Sequence, residues 1–193
     1  MIIIQNLPFY SYEEALSKVQ TGDILLCSGH YMISRLIGFF SRSSFSHVGV
    51  IVKWENRILV MESVEDDGVR IVPLSHYFKN YENKNESYRG KLFIARHDKF
   101  MSDNVSEEEK KRLIDKGISL LNRHYDKFEI LKILLRIVFK VPNYKQNNQY
   151  ICSEHIDILY KEANITLAPL QCRPLFPEHI AKDKSITFLF RLL

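Results

Sequence analysis

Two runs rich in β-branched residues, one on each side of a turn, constrain the fold of this chain more than any other feature. His47–Val52 and Arg57–Glu62 have the composition of β-strands, and the Glu55-Asn56 pair between them favours a turn. Strands joined by so short a turn pair antiparallel. The sequence therefore predicts a β-hairpin in which the start of the first strand lies beside the end of the second.

Strand and helix signals continue along the rest of the chain. Ser11 and Ser106 each precede a glutamate by three residues, which is the spacing of a capping box at a helix start. Further strands are predicted over 23–28, 69–72, 91–96 and 186–192, and helices over 12–20, 31–40, 106–121, 128–139 and from Ser153. These elements predict an α+β fold, in which an antiparallel sheet is accompanied by several helices.

Length and composition place the chain among ordinary globular proteins. Its 193 residues predict a single domain over 1–193, and a content of 46% hydrophobic and 26% charged residues excludes a disordered or collagen-like chain. The net charge of +4 is compatible with an anionic partner but does not require one.

Cysteine usage and the absence of long apolar runs bear on the compartment. An odd, sparse set of cysteines, Cys27, Cys152 and Cys172, argues against a disulfide framework and indicates a reducing compartment. Met1–Ile4 is apolar but lacks the basic start and the length of a signal peptide, and charged residues interrupt the longest apolar stretch, Phe128–Val141. We therefore expect a cytoplasmic protein without a signal peptide or a transmembrane segment.

Cys152 is the first candidate for a chemical role. It stands at the start of a predicted helix, where free N–H groups and the helix dipole favour an anion such as a thiolate nucleophile. The alternative is a buried structural cysteine, because free cysteine is among the most buried residue types. Cys27, in the middle of a strand, and Cys172, in a loop, have no helix start and are interpreted as structural.

A nucleophilic cysteine needs a base that a third polar group orients. The predicted hairpin brings His47 and Glu62 to the same edge of the sheet, within reach of a hydrogen bond that would fix the imidazole tautomer and stabilise an imidazolium. The alternative is a surface histidine beside a surface glutamate. The apolar strand Ile58–Met61 favours the functional interpretation, since an idle carboxylate there would be costly.

Five short motifs in a fixed order carry a resemblance to a known family. They are Gly22–Leu25, Ser46–Val50, Val60–Ser63, Tyr125-Asp126 and Tyr150–Glu154. In this order they resemble the circularly permuted NlpC-type, papain-like cysteine hydrolases, and the YiiX-like branch is the most similar in appearance. Ordinary papain-like enzymes run Cys, His, polar residue, whereas this chain has the permuted order His47, Glu62, Cys152. The match spans roughly residues 21–170.

The resemblance implies a fold and a set of roles. The fold is papain-like, with a barrel-like antiparallel sheet packed against several helices. Cys152 is the nucleophile, His47 the base and Glu62 the orienting residue, while Tyr125 lines the substrate pocket unless it is a core or surface tyrosine. The implied reaction is cleavage of an amide or ester through a thioester, without a cofactor, and the backbone N–H of Cys152 is the natural oxyanion donor.

Substrate class and turnover remain open at this stage. Permuted relatives include peptidase- or amidase-like proteins, which act on a small peptide or amino-acid amide. They also include acyltransferases and phospholipases that act on lipid esters, such as the lecithin retinol acyltransferase group, in which a second histidine is often the orienting residue. Glu62 favours the first group. A non-catalytic binding module with the same fold is the alternative of a different class.

Other functions receive weaker support from the residues. Cys152-x-x-His155 could be half of a metal site, but no second pair with suitable spacing accompanies it, so no metal is expected. Lys110–Arg112 follows three glutamates on one helix, which is typical of a solvated face and not of a nucleic-acid contact.

Membrane-surface contact is a further hypothesis. Basic residues four apart form one stripe on the apolar helix 128–139: Lys132, Arg136 and Lys140. Such a helix could lie on a lipid interface, or it could pack in the core with a basic edge facing solvent. The sequence makes no prediction of an oligomeric state.

Overall fold

A single open sheet organises the part of the chain that is described. The computed structural model describes residues 6–29, 44–64, 67–123, 152–167 and 175–192. The strands within these ranges are β1 (Phe9–Tyr10), β2 (Ile24–Gly29), β3 (His47–Trp54), β4 (Arg57–Val64), β5 (Gly68–Pro73), β6 (Gly90–His97) and β7 (Ile186–Leu192). Their order across the sheet is β1-β7-β6-β2-β3-β4-β5.

Short helices and two longer ones accompany the sheet. They are α1 (Tyr12–Ala15), α2 (His76–Lys79), α3 (Asp98–Met101), α4 (Glu107–Ser119), α5 (Cys152–Glu162) and α6 (Pro177–Ala181), with a 3-10 turn at Tyr81–Asn83. Both predicted capping boxes are present, at Ser11 and Ser106. None of the helices in the described ranges has the length and apolar character needed to cross a bilayer.

Some predicted elements lie outside the described residues. These are the helices expected over 31–40 and 128–139, together with Tyr125 and Cys172. Helix α1 is shorter than the predicted 12–20, because the chain turns after Ala15 and buries that residue and Val19 against the sheet.

The predicted hairpin is confirmed, whereas the barrel-like closure is wrong. β3 and β4 pair antiparallel from Trp54↔Arg57 to Gly49↔Glu62. The sheet is open, since within the described ranges no ladder joins its outer strands β1 and β5. The physical reason is the first strand, which has two residues and pairs parallel with the end of β7, so it cannot close the sheet.

The two faces of the sheet carry separate apolar cores, as period-2 alternation requires. One face, with Val48, Val50 and Met61, packs against α4 and α5. The opposite face includes Ile51, Val60 and the aromatic side chain of Tyr77. Close packing on the first face depends on Gly117 of α4, since a Cβ there would lie 2.4 Å from the Met61 sulfur. This packing seats α5 across β3 and β4.

Candidate active site

The hairpin register brings His47 and Glu62 into direct contact. Glu62 lies opposite Gly49, so His47, two residues earlier on β3, is its diagonal neighbour. The Nε2 atom of His47 lies 2.6 Å from Oε2 of Glu62. Glu62 is fully buried and the His47 side chain is 12% exposed. The contact expected from the sequence is therefore present at the start of β3.

Cys152 completes this group from a different element. It is the first residue of α5, it is buried, and its thiol shares a hydrogen bond with the His47 imidazole. The structure thus brings together the three predicted site residues, one each from α5, β3 and β4.

Hydrogen bonds and charge set the protonation of His47 and Glu62. Burial works to lower the pKa of His47, but the hydrogen bonds to Cys152 and Glu62 outweigh it and raise the pKa to about 10. Burial works to raise the pKa of Glu62, but the hydrogen bond and charge of His47, with the charge of Arg70, bring it to about 2. The pair is an imidazolium and a carboxylate at neutral pH.

Two further residues hold the Glu62 carboxylate. Arg70 donates from Nε to Oε1 at 2.8 Å, and its Nη2 lies 2.8 Å from the same oxygen. The Tyr77 hydroxyl donates to Oε2, the oxygen that also faces His47. Both carboxylate oxygens are therefore engaged, and the rotation of the carboxylate is fixed by groups from β3, β5 and α2.

The sequence analysis missed both of these residues, although one had a signal. Asp66-Asp67-Gly68 is a turn signal in the sequence, and counting outward from it puts Arg70 opposite Glu62, which is the pair that the structure has. Tyr77 follows a second change of chain direction after β5, and no periodicity places its hydroxyl beside Glu62.

An aromatic cluster that includes Tyr77 packs beside the site. The ring centroid of Tyr77 lies 4.9 Å from that of Tyr81 and 5.7 Å from that of Tyr88. The Tyr88 hydroxyl lies 3.4 Å from Oγ of Ser46, the residue before His47, and Ser46 also donates to the carbonyl of Cys27. Burial raises the pKa of Tyr77, so its hydroxyl remains a neutral donor.

Cys27 also lies close to the site, but its surroundings do not favour a reactive thiol. It pairs with His47 across β2 and β3 and is fully buried. Burial, followed by the negative charge of Glu62, raises the pKa of the Cys27 thiol well above its ordinary value. This is the environment of an inert structural cysteine.

His155 is a buried histidine one helical turn after Cys152. Its side chain has no solvent exposure, and among the described residues neither ring nitrogen has a hydrogen-bond partner. Burial lowers its pKa to about 4; the charge of Glu62 opposes this shift and that of His47 adds to it. His155 is therefore neutral at the pH where His47 is charged.

A cysteine on the first turn of a helix, packed on a sheet that presents a histidine and a carboxylate to it, is the arrangement of the papain-like class. The chain belongs to the permuted papain-like amidase family described as YaeF/YiiX, C92, whose model matches residues 18–172. The resemblance seen in the five motifs is thereby confirmed.

A comparison with solved structures agrees on the fold. The chain is similar to the metalloprotein YiiX from Escherichia coli O157:H7, with 18% sequence identity and a TM-score of 0.59. The similarity covers 88% of this chain and 95% of that chain. At this identity the likeness shows the shared fold. A comparison with curated proteins finds no match.

Proposed function

We propose that this protein is a cysteine-dependent hydrolase of the amidase or peptidase type, acting on a small peptide or amino-acid amide. Cys152 is the nucleophile, His47 the general base and acid, and Glu62 the orienting residue. The observation that carries the proposal is the position of His47, whose imidazole joins the Cys152 thiol to the buried Glu62 carboxylate. The description of the family as amidases supports the choice of an amide substrate.

The first half of the reaction forms an acyl-enzyme. The Cys152 sulfur attacks the carbonyl carbon, a C–S bond forms, and the π electrons move to the carbonyl oxygen. The backbone N–H of Cys152, at the first turn of α5, has no acceptor within its helix and is placed to stabilise that oxyanion. The imidazolium of His47 then gives its proton to the departing amine as the C–N bond breaks, which leaves a thioester.

The second half returns the enzyme to its starting state. His47, now neutral, takes a proton from water while the water oxygen attacks the thioester carbon. The C–S bond breaks, the carboxylic acid product leaves, and the thiolate–imidazolium pair is restored. Glu62 stays ionised throughout, since its contacts with His47, Arg70 and Tyr77 stabilise the carboxylate.

The name of the related YiiX raises the question of a metal. In the described ranges no group of three or more His, Cys, Asp or Glu side chains is arranged to hold a metal ion. Cys152 and His155, one turn apart on α5, are two such side chains and do not make up a group of three within the described ranges. No step of the proposed reaction is routed through a metal.

Substitution of the nucleophile tests the proposal. Cys152→Ala should lower hydrolysis of a panel of aminoacyl anilides and esters by about 1,000-fold or more, because the acyl-enzyme can no longer form. Labelling by iodoacetamide, followed by peptide mass spectrometry, should find wild-type Cys152 modified at neutral pH.

A matched control is available within the chain. Cys27→Ala removes the buried, inert thiol and should leave labelling of Cys152 in place. Hydrolysis that survives in Cys152→Ala would contradict the nucleophile assignment. Strong labelling of Cys152 with no hydrolysis across the panel would instead favour the non-catalytic binding module.

A further inference from the structure

Helix α6 and the residues just before it make hydrogen bonds to two segments that lead into the candidate site. On one side, Oγ of Ser153, on the first turn of α5, donates to the carbonyl of Leu175, two residues before α6 begins. On the other side, Oε2 of Glu178 on α6 accepts from the backbone N–H of Ser44 at 3.0 Å. Ser44 lies three residues before His47. Hydrogen bonds thus connect the start of α5 to the segment that enters β3.

This connection lies in the protein interior, and α6 is fixed there by apolar packing. Ser153 has no exposed surface and Glu178 is 7% exposed. Ile180 and Ala181 of α6 belong to the same apolar core as Phe45, the residue after the donor to Glu178. A hydrogen bond shielded from water in this way is stronger than an exposed one, because water competes less for its partners.

His47 needs support from outside the sheet because it lies at the first residue of β3. The ladder between β3 and β4 begins two residues further on, so the backbone of His47 pairs on one side only, with Cys27 of β2. The N–H of Ser46 also donates to the Cys27 carbonyl, at 2.8 Å. The contact between Ser44 and Glu178 ties the same segment to a second element, α6.

We propose that α6 keeps the start of β3 and the start of α5 in a fixed relation, and that Glu178 is the positioning residue on the side of His47. This inference rests on the proposed function, since it assigns His47 and Cys152 to one reaction. Glu178 acts through the backbone of Ser44. The effect on catalysis is large because a misplacement of about 1 Å can lower a rate by about 100-fold.

The other contact of the Glu178 carboxylate supplies a matched control. Oε1 lies 3.0 Å from Nζ of Lys182, four residues later on the chain. The Lys182 side chain is 60% exposed, so solvent weakens this ion pair. Lys182→Met therefore removes the ion pair and leaves the contact between Glu178 and Ser44 in place.

Two conservative variants separate the reach of the side chain from its charge. Glu178→Gln keeps the length of the side chain and an oxygen that can accept from the Ser44 N–H, but it removes the charge. Its amide nitrogen then faces Lys182, which is exposed enough to turn into solvent. Glu178→Asp keeps the charge but is one methylene shorter, which withdraws the carboxylate from Ser44. If position is what matters, the glutamine variant should function and the aspartate variant should not.

The first experiment measures kcat and KM for hydrolysis of an aminoacyl anilide. Glu178→Asp should lower kcat by about 10-fold while KM changes by less than about 2-fold, since the base is displaced and the substrate contacts stay. Glu178→Gln and Lys182→Met should each keep kcat within about 3-fold of the wild type. Ser153→Ala removes the donor to Leu175 and should also lower kcat at constant KM.

The second experiment needs no substrate. Proton NMR follows the imidazole N–H of His47, whose resonance the 2.6 Å contact with Glu62 moves downfield. Hydrogen exchange follows the backbone amide of Ser44. Glu178→Asp should shift or broaden the His47 resonance and accelerate exchange of the Ser44 amide by about 10-fold or more. Glu178→Gln and Lys182→Met should leave both signals close to those of the wild type.

Three results would overturn the inference. They are a loss of kcat in Glu178→Gln as large as that in Glu178→Asp, a rise in KM at unchanged kcat, and a wild-type His47 resonance in Glu178→Asp. Circular dichroism checks that each variant folds. If Glu178→Asp does not fold, a wild-type kcat in Ser153→Ala overturns the inference instead. Absence of hydrolysis by the wild type, with the NMR changes present, would contradict the proposed function alone.

Discussion

Glu62 and His155 are both fully buried ionisable side chains close to the predicted nucleophile, yet they differ in their hydrogen bonds. Glu62 receives hydrogen bonds from His47, Arg70 and Tyr77. His155, one turn after Cys152, has no hydrogen-bond partner among the described residues. Partners keep the first group charged, and burial without partners keeps the second neutral.

This difference shows that burial alone does not determine charge near Cys152. On β4 the neighbouring strands and α2 supply a cation and two donors, so ionisation of Glu62 is favourable. α5 packs against the sheet and α4, and His155 is buried there with no hydrogen-bond partner among the described residues. The same part of the protein thus holds Glu62 as a carboxylate and His155 as a neutral imidazole.

Removal of the Glu62 charge should have the largest effect on stability. Glu62→Gln leaves the Arg70 guanidinium and the His47 imidazolium without their shared anion, and breaking a buried ion pair in this way costs roughly 3–5 kcal/mol of stability. Thermal and urea unfolding would measure the loss. The matched control is Asp67→Asn, which takes an exposed carboxylate from the same arginine and should cost less than about 1 kcal/mol. Equal losses in the two variants would contradict the central role of the buried carboxylate.

The pH dependence of stability should expose the charged state of His47. Its pKa is raised from 6.5 in the unfolded chain to about 10 in the folded protein. Its contribution is therefore complete below pH 6.5 and is lost as the pH rises through about 10. The melting temperature of the wild type should fall between pH 7 and pH 10 more steeply than that of His47→Gln. Parallel curves for the two proteins would show that His47 is not charged in the folded state.

Substitution of His155 should have a smaller effect, and one of opposite sign. His155→Leu replaces a buried polar ring that has no hydrogen-bond partner among the described residues with an apolar side chain, and we expect a gain of about 1–3 kcal/mol. The gain should be larger at pH 5 than at pH 8. The unfolded chain takes up a proton near pH 6.5, whereas the folded protein resists until about pH 4, so wild-type stability falls as the pH falls across this window. Destabilisation at both pH values would mean that His155 makes a polar interaction the folded protein needs.

The parts of the site that could be predicted are those set by contacts between neighbouring segments of the chain. The β3–β4 turn fixes the register of His47 and Glu62, and the next turn would have fixed Arg70 by the same counting. Tyr77 could not be predicted, because its position depends on how α2 folds back over the sheet. The sequence predicts a helix from Ser153 but not its depth of burial: packing by the sheet, α4 and α6 buries most of α5, including His155.

Sheet closure failed as a prediction for a related reason. The pairings that decide it, β6 with β7 and β7 with β1, join segments about 90 and 180 residues apart in sequence, and strand periodicity contains no information on partners at that range. Short-range register is encoded in turns, whereas long-range strand order depends on the whole chain.

The order of the site residues along the chain also determines when each of them is made during translation. His47, Glu62, Arg70 and Tyr77 all emerge before α5, and 90 residues separate Glu62 from Cys152 (152 − 62). At about 5–20 residues per second, translation of that interval takes roughly 5–18 s. The residues that surround the thiol are therefore made before the thiol itself, and Cys152 joins them only when α5 docks on the sheet.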